Sequence, residues 1–232
     1  MSTDTNIESK INLNGEIAYL EEVANEARIK ALSTIYKAQS GHAGSSFSAI
    51  DLVTALFMKE MDFSKDRFIL SKGHAVPAQY ALMSMRGDIS REHLYTLRKI
   101  GSPLQGHPVA GTLPNIDVST GSLGQGLSVG SGMAYARKIR GLEGRIYIIL
   151  GDGELQERQN REAFMSASHH KLDNLVAIID KNGYQNDNSV INTMPIDPLE
   201  DKLEGFGWNV LTIDGHSIPE IINAIKEAKL AK

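Results

Sequence analysis

The chain has 232 residues, of which 41% are hydrophobic and 22% charged, with 24 Lys and Arg against 28 Asp and Glu for a formal net charge of -4. This is ordinary globular composition, with enough length to bury roughly 70% of the unfolded surface in one sizeable core. The mild acidity argues against a nucleic-acid partner. The absence of cysteine excludes disulfides, thiolate nucleophiles and Cys-ligated metal centres.

Residues 1–15 (MSTDTNIESKINLNG) are polar and mixed in charge, without the basic start and apolar core of a signal peptide. They read as an N-terminal arm, frayed or touching a partner, ahead of a single domain over 16–232. No apolar run approaches the ~20 residues of a membrane span, so the expectation is a cytoplasmic protein with no membrane partner. From Ile17 to Gln39, Leu20, Val23, Ala27, Ala31 and Ile35 recur every three or four residues, the spacing of one helix face. After the glycine-containing SGHAGSS, Ala49–Met61 reads as a second helix, and Arg67–Leu70 (RFIL) as a short strand.

Ser122–Arg140 is a helix rich in small residues, followed by a strand at Arg145–Leu150 (RIYIIL) and a helix at Arg161–His170. Leu175–Asp180 (LVAIID) and Asn209–Asp214 (NVLTID) are further strand-length apolar runs. Pro219–Lys229 is a helix with proline at its start. Strands alternating with helices predict an α/β fold, a parallel sheet sandwiched by helices. Ligands of such folds bind beyond the carboxyl ends of the strands.

Two glycine-punctuated polar turns stand at those ends. Gly151-Asp152-Gly153-Glu154 follows RIYIIL, and Lys181-Asn182-Gly183 follows LVAIID, with Asp152 and Asn182 30 residues apart. A carboxylate and an amide oxygen are hard ligands suited to Mg2+ or Ca2+, which takes further oxygens from water and phosphate. Glycine lets the backbone approach a diphosphate, and a following helix turns N–H groups toward that anion. Taken alone, both segments are equally readable as plain turns.

The stretch from Gly151 to Asp187 resembles the thiamine diphosphate signature, and its wording resembles transketolase. FILSKGHA (Phe68–Ala75), LQGHP (Leu104–Pro108), STGSLGQGLSVGSGMA (Ser119–Ala134), GDGELQE (Gly151–Glu157) and HKLDNLVAIIDKNGYQ (His170–Gln185) match that family in its order. The match is to the amino-terminal, diphosphate-binding part, as in split-gene bacterial forms. The resemblance implies that Asp152, Asn182 and the Tyr184 carbonyl hold a divalent metal, and that Gly151, Gly153 and Glu154 lie along the diphosphate. It places Gly121, Ser122 and Leu123 beside the cofactor rings. His42, His74 and His107 become the histidines of the substrate channel, and Glu157 and Glu162 carboxylates at a subunit interface. Histidine titrates near neutrality and can exchange protons with a substrate hydroxyl. His93, His169 and His216 fall outside these segments and read as structural.

The resemblance further implies a partner subunit carrying the pyrimidine-binding and carboxy-terminal domains, in a heterotetramer with two copies of each, and a ketose or 2-oxo donor with an aldehyde acceptor. The glutamate that activates the aminopyrimidine and the substrate-phosphate contacts belong to that partner, so the chain is expected to be inactive alone. Arg158 and Arg161 stand where the family has glycine and an aromatic residue. The family's further strand and histidine near the diphosphate have no counterpart before Lys232. Two other readings stay open: a non-catalytic scaffold or regulatory component of such a complex, and one chain of a 2-oxo acid decarboxylase or dehydrogenase.

Overall fold

The structure, a computed structural model, describes residues 4–186 and 188–231. Three parallel strands, β1 (Arg67–Leu70), β2 (Ile146–Gly151) and β3 (Leu175–Asp180), lie in the order β1-β2-β3, with Arg67 opposite Ile146 and Ile146 opposite Leu175. The three runs of apolar residues are the strands the sequence predicts. Their side chains alternate between two buried faces, as a sheet covered on both sides requires.

Phe68, Leu70, Tyr147 and Ile149 face a core built from helices α1 (Asp4–Ala38), α2 (Ala43–Ala55), α3 (Val76–Arg86) and α9 (Ile218–Leu230). Ile69, Ile146, Ile148 and Leu150 face the opposite core, from α5 (Gly126–Ile139), α6 (Arg158–His169) and α8 (Leu199–Gly205). Two short helices, α4 (Arg91–Leu94) and α7 (Val190–Thr193), a hairpin of β4 (Tyr184–Gln185) with β5 (Asn188–Ser189), and 3-10 turns at Gly73–Ala75 and Gly153–Gln156 lie between them. No described helix is long and apolar enough to cross a membrane.

On α1, Leu20, Val23, Ala27 and Ala31 form the buried stripe. The helix runs unbroken through the boundary drawn between a polar arm (residues 1–15) and the domain (16–232). α2 starts six residues ahead of Ala49, with the Ser46 N–H closing the first turn onto the His42 carbonyl (3.1 Å) and the Ser46 hydroxyl donating to the same oxygen (2.8 Å). It passes into a π-helical turn at Leu56–Glu60. α5 starts at Gly126 rather than Ser122, because Gly121 (φ 127°) and Gly124 (φ 84°) hold left-handed conformations that a right-handed helix cannot include.

Asn209–Asp214 is not a strand. β3 pairs only with β2, and the run does not hydrogen-bond to the edge that β3 leaves open. Trp208 and Val210 pack on the α6 side of the sheet, while Leu211 and Ile213 remain 37% exposed. A strand-length apolar run reports burial of part of its side chains, which does not require pairing with a neighbouring strand.

Candidate active site

The carboxyl ends of the three strands carry three loops that side chains tie together. Ser71 and Lys72 follow β1. The Ser71 hydroxyl donates to Glu154, whose carboxylate also accepts from the backbone N–H groups of Gly124 (2.9 Å) and Gly151 (3.1 Å). Glu154 is 3% exposed and joins the ends of β1 and β2 to the turn before α5. Burial pushes its pKa up, against the pull of the Ser71 hydroxyl and the two amides. Both oxygens of its carboxylate are engaged by these three donors within the fold. Asn160 on α6 donates to the Glu154 carbonyl (2.7 Å) and pins the same turn.

Lys72, 1% exposed, reaches past the end of β2 to an ion pair with Asp180, the last residue of β3, and Ser48 on α2 donates to the same carboxylate (2.5 Å). Asp152, 2% exposed, accepts from Gly153 N–H (2.8 Å) and Gly183 N–H (2.7 Å), which stitches the β2 loop to the β3 loop. Burial raises its pKa, and those two amides oppose the rise. Asn182 Oδ1 accepts from the Tyr184 N–H (2.9 Å), which fixes the amide in the β3 loop.

The predicted channel histidines come together beside this cluster. His42 stands at the start of α2 and His74 in the turn after β1, their rings 5.2 Å apart and edge to face. Burial first, then the Lys72 charge and the neighbouring His42 and His107, depress His74 to a pKa of about 4. His107 is also lowered, by burial and then by Arg98 and His42. The turn Gly121-Ser122-Leu123 lies against them: a Cβ on Gly121 would sit 2.9 Å from His107 Cδ2, and one on Gly73 would sit 2.6 Å from Thr120 Oγ1. Ser122 and Leu123 are exposed along this turn, and Glu157 and Glu162 are exposed at the start of α6 beside Arg158 and Arg161. None of the ion pairs among the described residues joins those arginines to those glutamates.

The arrangement suits the group that the resemblance implies. Asp152 and Asn182 present hard oxygens from adjacent loops, and no group of three or more His, Cys, Asp or Glu in the described residues could hold a metal by itself. A Mg2+ or Ca2+ ion here would complete its shell from diphosphate and water, as Mg2+ characteristically does. Thr120 Oγ1 is buried without a partner at the edge of the histidine cluster, a vacancy in hydrogen bonding that a bound polar group would fill. Sequence reasoning missed Ser48, Ser71, Lys72, Asp180 and Arg98. Lys72 and Asp180 carried one signal, since each is a charge set at the carboxyl end of a strand.

Residues 20–232 match the family model described as "Transketolase, thiamine diphosphate binding domain". The chain is 39% identical over 219 residues to one of the subunits of the apulose-4-phosphate transketolase of Phocaeicola vulgatus, covering 91% of this chain and 78% of that one. It is 41% identical over 221 residues to the 6-deoxy-6-sulfo-D-fructose transketolase subunit SqwG of a Clostridium species, covering 92% and 80%. Among solved structures, transketolase from Leishmania mexicana superposes with a TM-score of 0.86 at 29% identity, over 92% of this chain and 35% of that chain. The chain therefore belongs to the transketolase family and is its thiamine-diphosphate-binding part.

Proposed function

We propose that this chain is the cofactor-binding subunit of a two-component enzyme that transfers a two-carbon ketol unit from a ketose to an aldehyde, in the cytoplasm, and that it works only with a partner carrying the pyrimidine-binding half. The observation that carries this reading is the contiguity of the strand-end oxygens and the histidines. Lys72 acts electrostatically on Asp152 on one side and on His74 on the other. Two relatives with high coverage are named as subunits, which supports a partner for this chain.

Asp152, Asn182 and the Tyr184 carbonyl would hold Mg2+, with the Gly151–Glu154 turn along the diphosphate. Thiamine diphosphate, when bound, supplies the electron sink for breaking and making the carbon–carbon bond. The chain's own residues bind, orient and move protons. His74, uncharged near neutral pH, accepts a proton from a substrate hydroxyl and returns it to an oxygen as the bond is remade. His42 and His107 line the same cluster and orient a polyhydroxylated substrate. Glu154 and the Lys72–Asp180 pair hold the loops that carry these groups.

The test is to purify the chain with the product of the neighbouring gene and assay ketol transfer from phosphorylated and sulfonated ketoses. Transfer is expected only with both chains and the cofactor, and Asp152→Ala should abolish it while assembly persists. A complex saturated with cofactor yet inert toward every ketose and 2-oxo donor would overturn the reading. Asp152→Ala without functional loss would favour a scaffold.

A further inference from the structure

Arg98 lies in the loop between α4 and His107 with φ at 59°, a left-handed conformation unusual for a side chain with a Cβ. Such a conformation is strained for a residue with a Cβ and persists where its surroundings over-determine it. Here they do. The Arg98 N–H donates to the Leu104 carbonyl (2.8 Å), and the Leu104 N–H donates to Ser102 Oγ (3.0 Å), itself 2.6 Å from Thr96 Oγ1. Leu94, Leu97 and Leu104 anchor the loop in the core.

This backbone sends the guanidinium across Gly106. A Cβ at Gly106 would lie 2.4 Å from Arg98 Cζ, Nε and Nη2, so the planar group rests on the peptide that leads into His107. On the other side, Gly121 (φ 127°) touches the imidazole, with a hypothetical Cβ 2.9 Å from Cδ2 and 3.0 Å from Cγ. Glycine thus permits close approach both to the ring and to the peptide before it. Arg28, Arg67 and Arg86 pair with Asp51, Asp117 and Asp88. Arg98 has no carboxylate partner among the described residues, so its charge is not neutralised locally.

We propose that Arg98 is a positioning residue for His107: its guanidinium, seated on Gly106, holds the imidazole against Gly121 and presents it to the substrate channel as a proton acceptor. The charged and titratable groups facing His107 are Arg98 from its own loop, His42 at the start of α2 and His74 from the turn after β1. Burial, then Arg98, then His42 disfavour the protonated ring. Removing the cation stabilises the imidazolium, so the ring's titration midpoint rises. The role of His107 in catalysis rests on the function proposed above, but the behaviour of its ring does not.

The test is an NMR titration of the His107 ring in the full chain, with His107→Gln assigning the signal. Arg98→Leu is expected to raise the midpoint by about half a pH unit, from the Coulomb energy of a partly screened pair. Arg98→Lys should restore most of the lowering. Gly106→Ala keeps the charge but forces the guanidinium aside, so it should raise the midpoint as well, and it remains informative if Arg98→Leu fails to fold. In the two-subunit complex the acidic limb of kcat/KM, where a proton acceptor becomes deprotonated, should move to higher pH in the same variants. An unchanged midpoint in folded Arg98→Leu, or in Gly106→Ala if Arg98→Leu does not fold, overturns the proposal whatever the complex catalyses. An inert complex with a shifted midpoint overturns only the function.

Discussion

Replacing Lys72 by Met should destabilise the chain far more than a surface substitution. The ammonium is 1% exposed and the Asp180 carboxylate 10%, with the Ser48 hydroxyl the only other side-chain donor on that carboxylate among the described residues. Removing the cation leaves a buried anion with one hydroxyl, and breaking such a pair from one side costs about 3–5 kcal/mol. At roughly 2–4 °C per kcal/mol for a chain of this size, the melting temperature should fall by about 6–20 °C. Asp180→Asn should cost a comparable amount, whereas the double variant Lys72→Met/Asp180→Asn buries no unpaired charge. Its cost should fall well short of the sum, with a coupling of about 2 kcal/mol. Urea unfolding of the four proteins at a common m value measures this cycle. A loss below about 1 kcal/mol for Lys72→Met, or strict additivity, would refute the view that one buried pair locks β1 to β3. Because Asp180 leads directly into Asn182, cofactor affinity should fall in both single variants under conditions where they remain folded.

Three further outcomes follow from the packing and the charges. His74 falls from its ordinary 6.5 to about 4 in the folded chain, so between these values the unfolded state binds more protons and stability rises with pH. Acidifying from pH 7 to pH 4 should therefore remove up to ~3 kcal/mol; His74→Gln should lack that portion, and an identical pH slope would count against it. Gly130→Ala would place a Cβ 2.2 Å from Ile148 Cδ1 in the core beneath α5, an overpacking of about 1–3 kcal/mol; denaturation should show that adding Ile148→Val recovers part of the loss. Glu154→Gln sets its amide NH2 against a donor whichever way it turns, because Ser71 and Gly124 donate to one carboxylate oxygen and Gly151 to the other. That mismatch should cost about 2–3 kcal/mol, and denaturant midpoints equal to the parent's would contradict the role given to Glu154.

The strands were legible because RFIL, RIYIIL and LVAIID are each apolar on both faces, which only a doubly covered sheet explains. Asp152 and Asn182 were legible because glycines and polar residues follow those runs directly, where the sheet must end. The pairings that shape the site were not. Ser71 and Glu154 are 83 residues apart and Lys72 and Asp180 are 108 apart, and no local pattern links such partners. NVLTID looked like a strand because it is an apolar run of strand length, and such a run carries no information about a neighbouring edge. His216, read as structural, bonds Asp51 through Nδ1 (2.7 Å) and fastens the loop before α9 to α2.

The loops after β2 and β3 are proposed to form one half of a cofactor site, and everything claimed for the chain's function depends on it. Calorimetric titration of thiamine diphosphate with Mg2+ tests this most directly, first into the chain alone and then into its complex with the partner. Saturable, metal-dependent binding is predicted in the complex, weak or absent in the chain alone and lost in Asp152→Ala. No binding in either, or binding indifferent to Asp152→Ala, would contradict it.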